Sequence, residues 1–280
     1  MREPVSMSRA EYDRLPGVNW STLKHMGRSP AQYQHAVTSP AQRDTDALKR
    51  GRATHHAVFE PELFRSTYVV WDGGTRRGKE WDAFRARNAG LEILTDDMHT
   101  DVLAIAAAVR SSTMAAKYVS GGKSEQSLAW LDRESGLDCK GRVDFIAATG
   151  GGVIVDLKTC RDSSPSGFGR QVAQLEYHAQ AACYSDGHLA MTGQELPYVL
   201  VAVEVTAPYV VQVYRIHGDI LDAGRNRYRE LLGKVAACRK SNSWPGYFET
   251  EADLALPRWA APSQDEEDVT GLGLDFAKGE

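Results

Sequence analysis

GRVDFIAATGGGVIVDLKT, residues 141–159, decides the fold class of this 280-residue chain. Two apolar runs rich in β-branched residues flank a Thr-Gly-Gly-Gly turn, the pattern of a β-hairpin. Each run carries a carboxylate, Asp144 before the turn and Asp156 after it, at nearly equal distances, so strand pairing brings the two alongside. Side chains alternate along a strand, so Asp156 and Lys158 share one face while Val153, Val155 and Leu157 point into a core on the other. Two carboxylates and an amine on one face suit a hard divalent cation, with the lysine placed to orient or deprotonate a water. The bland alternative for Asp156 and Lys158 is a surface ion pair.

A helix is expected over residues 174–190, QLEYHAQAACYSDGHLA. Tyr177, Gln180 and Tyr184 fall at i, i+3 and i+7 and form one stripe. An aromatic stripe is ordinarily core. A glutamine within it needs polar partners, for which a carboxylate, a phosphate or a water would serve.

Together, GRVD ending at Asp144, DLKT from Asp156 to Thr159, and YHAQAACYSDG from Tyr177 resemble the PD-(D/E)xK nuclease superfamily, and within it the RecE-type exonucleases of phages and prophages. The resemblance extends over about residues 10–260. It includes LPGVNWSTL at 15–23, GRATHHAVFEP at 51–61, RGKEW at 77–81 and LPRW at 256–259. It implies an α/β (α+β) fold, a restriction-endonuclease-like core with a mixed central sheet flanked by helices. It also implies that Asp144 and Asp156 hold Mg²⁺, with Mn²⁺ as substitute and two ions per site. The carbonyl of Leu157 is expected to join them, Lys158 to serve the attacking water, and Gln180 and Tyr184 to orient that water or the scissile phosphate.

Composition is that of an ordinary globular chain, 42% hydrophobic and 25% charged. Without 18 consecutive apolar residues no membrane span is expected. The opening MREPVS lacks the apolar stretch of a secretory signal, and a cytoplasmic protein is expected. Cys139, Cys160, Cys183 and Cys238 are scattered without C-x-x-C spacing, which argues against zinc, a disulfide framework or an iron–sulfur cluster. The net charge of −4 disfavours a nucleic-acid partner only at first sight. Residues 263–280 hold six acids and one base, leaving the preceding 262 residues at +1. One domain is expected over 1–262, a helical segment at about 10–118 followed by the catalytic sheet and helices. A disordered acidic tail at 263–280 would contact a partner or block the DNA channel.

After a short extended start, three helices are expected within residues 20–60, two of them opened by the Ser-Pro pairs at 29–30 and 39–40. In the third, Leu48, Gly51, His55 and Val58 share the inward face, and His56 is taken as surface. An inward histidine is usually a satisfied core residue; the resemblance makes His55 a metal ligand. Residues 71–79 form a glycine-rich basic loop, and the resemblance places Arg76, Arg77 and Lys79, with Arg142 and Tyr177, at the DNA. Helices follow at 81–89 and 95–118, then strands at 124–131, 137–147 and 153–159. Glu125 lies on the first strand, where lambda-exonuclease-like relatives carry a metal-binding glutamate. Residues 161–173 read as a polar loop that moves over the substrate. Strands at 198–205 and 209–216 and a helix at 219–240 complete the body. Pro257, Arg258 and Trp259 are expected to dock on it.

The implied activity is Mg²⁺-dependent 5′–3′ degradation of linear double-stranded DNA. RecE resemblance further implies a ring-shaped homo-oligomer and a single-strand annealing partner. An endonuclease or single-strand nuclease on the same fold, or a non-catalytic DNA-binding protein, are the competing readings.

Overall fold

In the computed structural model, residues 3–39, 45–248, 250–257 and 260 are described. In chain order they form β1 (Val5–Ser6), α1 (Arg9–Arg14), α2 (Trp20–Leu23), α3 (Pro30–Thr38), α4 (Asp46–Phe59), α5 (Pro61–Thr67), β2 (Tyr68–Trp71), α6 (Lys79–Arg87), β3 (Glu92–Thr95) and α7 (Asp96–Ser111). Then come β4 (Gly122–Asp132), β5 (Leu137–Ala147), β6 (Val153–Cys160), α8 (Pro165–Gln174), α9 (Tyr177–Thr192), β7 (Tyr198–Glu204), β8 (Val211–Ile216) and α10 (Asp219–Ser241). The chain divides into two units, Met1–Gly246 and Tyr247–Glu280. The second unit has neither helix nor strand among its described residues.

The GRVD hairpin forms as β5 and β6. Its turn places Gly150, Gly151 and Gly152 at φ of 62°, 85° and 119°, a succession that residues with a Cβ adopt only at a cost. The main sheet runs β1-β4-β5-β6-β7-β8. Every neighbouring pair is antiparallel except β6–β7, which α8 and α9 connect as a crossover. The sheet is therefore mixed and covered on both faces. Val153, Val155 and Leu157 join Val199, Val201 and Val203 in a core with Ala57, Val102 and Ile105 of α4 and α7. Ile154, Tyr198, Leu200 and Ala202 face a second core built with Ala182 and Cys183 of α9 and Leu231 and Val235 of α10.

Buried Lys140 of β5 anchors the start of the chain. Its ammonium donates to the carbonyls of Tyr12, Asp13 and Leu15 at 3.1, 3.2 and 2.7 Å, capping the end of α1.

Several expectations need correction. The short extended start is β1, and a helix not placed from the sequence follows at residues 9–14, where Ser8 and Glu11 form a capping box. Ser39 ends α3 rather than opening a helix; the next begins after Thr45, whose hydroxyl caps it, and Pro40 lies outside the described residues. On α4 the buried stripe is Ala53, Thr54, Ala57 and Val58, and Leu48 is 50% exposed. A short parallel pair, β2–β3, stands where the sequence pattern predicts no strand. The helix after it ends at Ser111, not 118. Residues 161–173 are largely α8 rather than a loop: Ser164 caps it, Pro165 occupies its first turn and Phe168 is buried. Arg258, Trp259 and the acidic tail lie outside the described residues.

Candidate active site

The β5–β6 ladder runs from Ala147 opposite Val153 to Phe145 opposite Val155 and then stops. The next pair in register would be Asp144 opposite Asp156. Instead the Asp144 carboxylate enters the gap and accepts the Leu157 N–H at 3.0 Å. Beyond this point β6 stays paired to β7, and β5 to β4, so a fork opens in the middle of the sheet. The β4 side is distorted at the same level. Glu125 stands opposite Asp144 between two regular pairs, with φ of 50° in the left-handed region. Val143 packs in one core and Phe145 in the other, so the alternation of β5 breaks at Asp144.

The fork gathers donors from four elements. His55, from α4, has Nε2 3.0 Å from the Leu157 carbonyl and Nδ1 3.4 Å from Asp144 Oδ2. Side-chain donors of His55, Glu125 and Asp144 all lie within 4.8 Å of one another. On the other tine, Lys158 Nζ stands 2.7 Å from Asp156 Oδ1 and donates to Gln180 Oε1 at 3.0 Å. It also lies 4.6 Å from the centre of the Tyr177 ring. Tyr177 and Gln180 are thus brought to the lysine by α9. Tyr184, one turn further, is buried against Gly141, where a Cβ would come 2.9 Å from the ring, and it hydrogen-bonds Gln180.

Electrostatics separate the two aspartates. Burial, reinforced by the charge of Asp156, pushes Asp144 well above the usual carboxylate range. Burial opposes ionisation of Asp156 too, but Lys158 and a hydrogen bond from Asp144 outweigh it and its pKa falls. Burial also works against the Lys158 ammonium, and Asp156 and Asp144 overcome it. His55 is lowered, by burial first and Lys158 second, which favours the neutral imidazole that binds metals. A buried carboxyl and a half-buried one, with one ammonium beside Asp156, cannot both ionise comfortably without a further cation. The donor set is mostly hard oxygen with one imidazole, and Asp156 Oδ1 is buried without a well-aligned hydrogen bond. These residues fit a divalent ion such as Mg²⁺ or Mn²⁺.

The expected DNA-contacting residues are dispersed. Arg142 Nε donates to the Glu125 carboxylate, and Arg76 pairs with Asp46 at 3.1 Å. Arg77 and Lys79 are exposed. His56, expected at the surface, is half-buried, with Nδ1 3.2 Å from the Tyr68 hydroxyl. Sequence reasoning missed Tyr198, whose hydroxyl donates to Asp156 Oδ2 at 3.0 Å. It also missed Gln171, which bonds the Thr159 carbonyl at 3.2 Å and the Tyr177 hydroxyl at 3.4 Å. Tyr198 opens the apolar run YVLVAV and carries no local signal; only the β6–β7 register brings it to Asp156.

Among the described residues no helix is long and apolar enough to cross a membrane. No curated protein matches the chain. Among solved structures, one described as a "putative exonuclease" from Eubacterium rectale superposes with a TM-score of 0.62 at 15% identity, covering 96% of this chain and 100% of its own. At that identity the likeness concerns the fold. Another, SSO0001, reaches a TM-score of only 0.33 at 12% identity over 81% of each chain, too low to bear on the question. The model of the "PDDEXK-like domain of unknown function (DUF3799)" matches residues 19–254, and the chain, with its mixed sheet and forked Asp144–Asp156–Lys158 site, belongs to that family.

Proposed function

We propose that this protein is a Mg²⁺-dependent exonuclease that degrades linear double-stranded DNA from its ends, 5′ to 3′, leaving 3′ single strands for phage-type recombination. The observation that carries a nuclease is the fork, where Asp144, Asp156, the Leu157 carbonyl, His55 and Lys158 converge. The exonuclease choice is supported by the RecE-like motifs and by the description of the Eubacterium rectale structure. Polarity, a ring-shaped homo-oligomer, an annealing partner and a cytoplasmic location follow from the RecE resemblance.

In this reading Asp144, Asp156, Leu157 O and His55, with Glu125 beside them, hold one or two divalent ions. Bound there, the metal would neutralise charge developing on the scissile phosphate and lower the pKa of an attacking water. Lys158 donates hydrogen bonds to that water or to a phosphate oxygen. Gln180 and the Tyr177 ring hold the ammonium beside Asp156 Oδ1, and Tyr184 steadies Gln180. Arg76, Arg77, Lys79 and Arg142 are assigned to the DNA backbone, Arg142 after release from Glu125.

End-labelled linear duplex and covalently closed circular duplex, each with Mg²⁺ or EDTA, test the proposal beside an Asp156→Ala control. Mg²⁺-dependent loss of the linear DNA only, absent in the variant, is expected. The order in which the end labels leave gives the polarity. Cleavage of the circle would replace the exonuclease with an endonuclease. Binding without cleavage of either would leave a DNA-binding protein.

A further inference from the structure

Asp156 is almost sealed from solvent, its side chain 4% exposed, and its two oxygens have different neighbours. Oδ1 faces Lys158 Nζ at 2.7 Å. Oδ2 accepts the hydroxyl of Tyr198 at 3.0 Å. Tyr198 is the first residue of β7, in register with Ile154 of β6, which is one same-face step before Asp156. Its backbone is also paired with Ile216 of β8, and its ring is fully buried in the core shared with Ile154, Leu200 and Tyr184. A phenol so fixed by two strands and a packed core has one position to offer. Asp156 cannot rotate about its Cβ–Cγ bond without breaking that hydrogen bond and leaving a buried hydroxyl unpaired.

We infer that Tyr198 is a positioning residue of the metal centre: it holds Asp156 Oδ2 so that Oδ1 is presented to the fork. The inference rests on the nuclease reading of that site. Tyr198 touches neither substrate nor reacting atoms. Its effect passes through the orientation of a carboxylate, as outer partners of metal-binding groups do.

Tyr198→Phe removes one oxygen and keeps the ring. Mn²⁺ binding to the full-length protein, measured by calorimetry without DNA, is expected to weaken roughly 10–100-fold. The Mg²⁺ concentration for half-maximal cleavage should rise by a similar factor, while turnover at saturating Mg²⁺ falls much less. In an Asp156→Asn background, Tyr198→Phe should cost no further Mn²⁺ affinity. Should the phenylalanine variant not fold, Tyr198→Met, whose flexible side chain occupies most of the space without a hydroxyl, reads the same loss. Unchanged Mn²⁺ affinity in a folded Tyr198→Phe protein, or an equal loss with Asp156 already replaced, overturns the positioning role and leaves the nuclease reading standing. If the wild-type protein binds no Mn²⁺, the nuclease reading fails and the positioning role with it.

Discussion

Replacing Asp144 by Asn should make the protein more stable and inactive, and the stability difference should reverse when a divalent cation is added. Asp156 is buried and Asp144 half-buried in the fork, where the Lys158 ammonium stands against Asp156 and the His55 imidazole, its pKa lowered, faces Asp144. Burial and the neighbouring charge already hold Asp144 well above the usual carboxylate range, so its ionised form is a cost to the fold. An asparagine removes that charge. Its carbonyl still accepts the Leu157 N–H that Asp144 Oδ2 accepts at 3.0 Å, and its amide can donate to ionised Asp156. Relief of a strained functional site is worth about 0.5–2 kcal/mol. For an ordered unit of this size that is roughly 1–8 °C in melting temperature. Excess Mg²⁺ or Mn²⁺ acts the other way, since a ligand at 100 times its dissociation constant adds about 2.7 kcal/mol to the protein that binds it. The assay is thermal unfolding of both proteins in EDTA and then in a Mg²⁺ series. The variant should melt above the wild type in EDTA and below it at saturating Mg²⁺, with cleavage at least ~100-fold reduced. A variant that melts lower in EDTA would show that Asp144 is a supporting hydrogen-bond partner rather than a charge held for a cation.

Three further outcomes are expected. Lys158→Ala should lower cleavage by about 100-fold or more while DNA affinity, read by anisotropy in Ca²⁺, changes little; retained turnover would remove the lysine from the chemistry. His55→Ala should raise the Mg²⁺ requirement well beyond His56→Ala, because His55 faces Asp144 and Leu157 whereas His56 faces Tyr68; equal shifts would dismiss His55 as a ligand. Lys140→Met leaves three carbonyls at the end of α1 without their donor and should destabilise the protein by about 2–4 kcal/mol in chemical denaturation. A loss below about 0.5 kcal/mol would mean that the start of the chain is held by other contacts.

Much of the sheet was legible because its cause is local. The glycine turn, the period-two alternation around it and the YVLVAV run identify β5, β6 and β7 almost to the residue. Asp156 and Lys158 share a face for the same reason. Helix α8 was also present in the sequence, in the Ser164-Pro165 start, but its polar, glycine-containing composition resembled a loop; Phe168 is what buries it. Strands β2 and β3 are too short for periodicity to register, and they exist because each pairs with the other.

The sequence by itself determined a hairpin carrying Asp144, Asp156 and Lys158, a helix presenting Tyr177 and Gln180, and the family pattern these compose. What only the tertiary structure decided is how they meet. The ladder ends at Phe145 and Val155, so Asp144 turns into a fork, and no residue pattern states where two strands stop pairing. His55 arrives from 102 residues before Leu157, and Tyr198 reaches Asp156 from the parallel strand 42 residues later. Such contacts depend on register and on which faces pack together. Both follow from the burial of the whole sheet between two helical layers, to which each local segment contributes only a part.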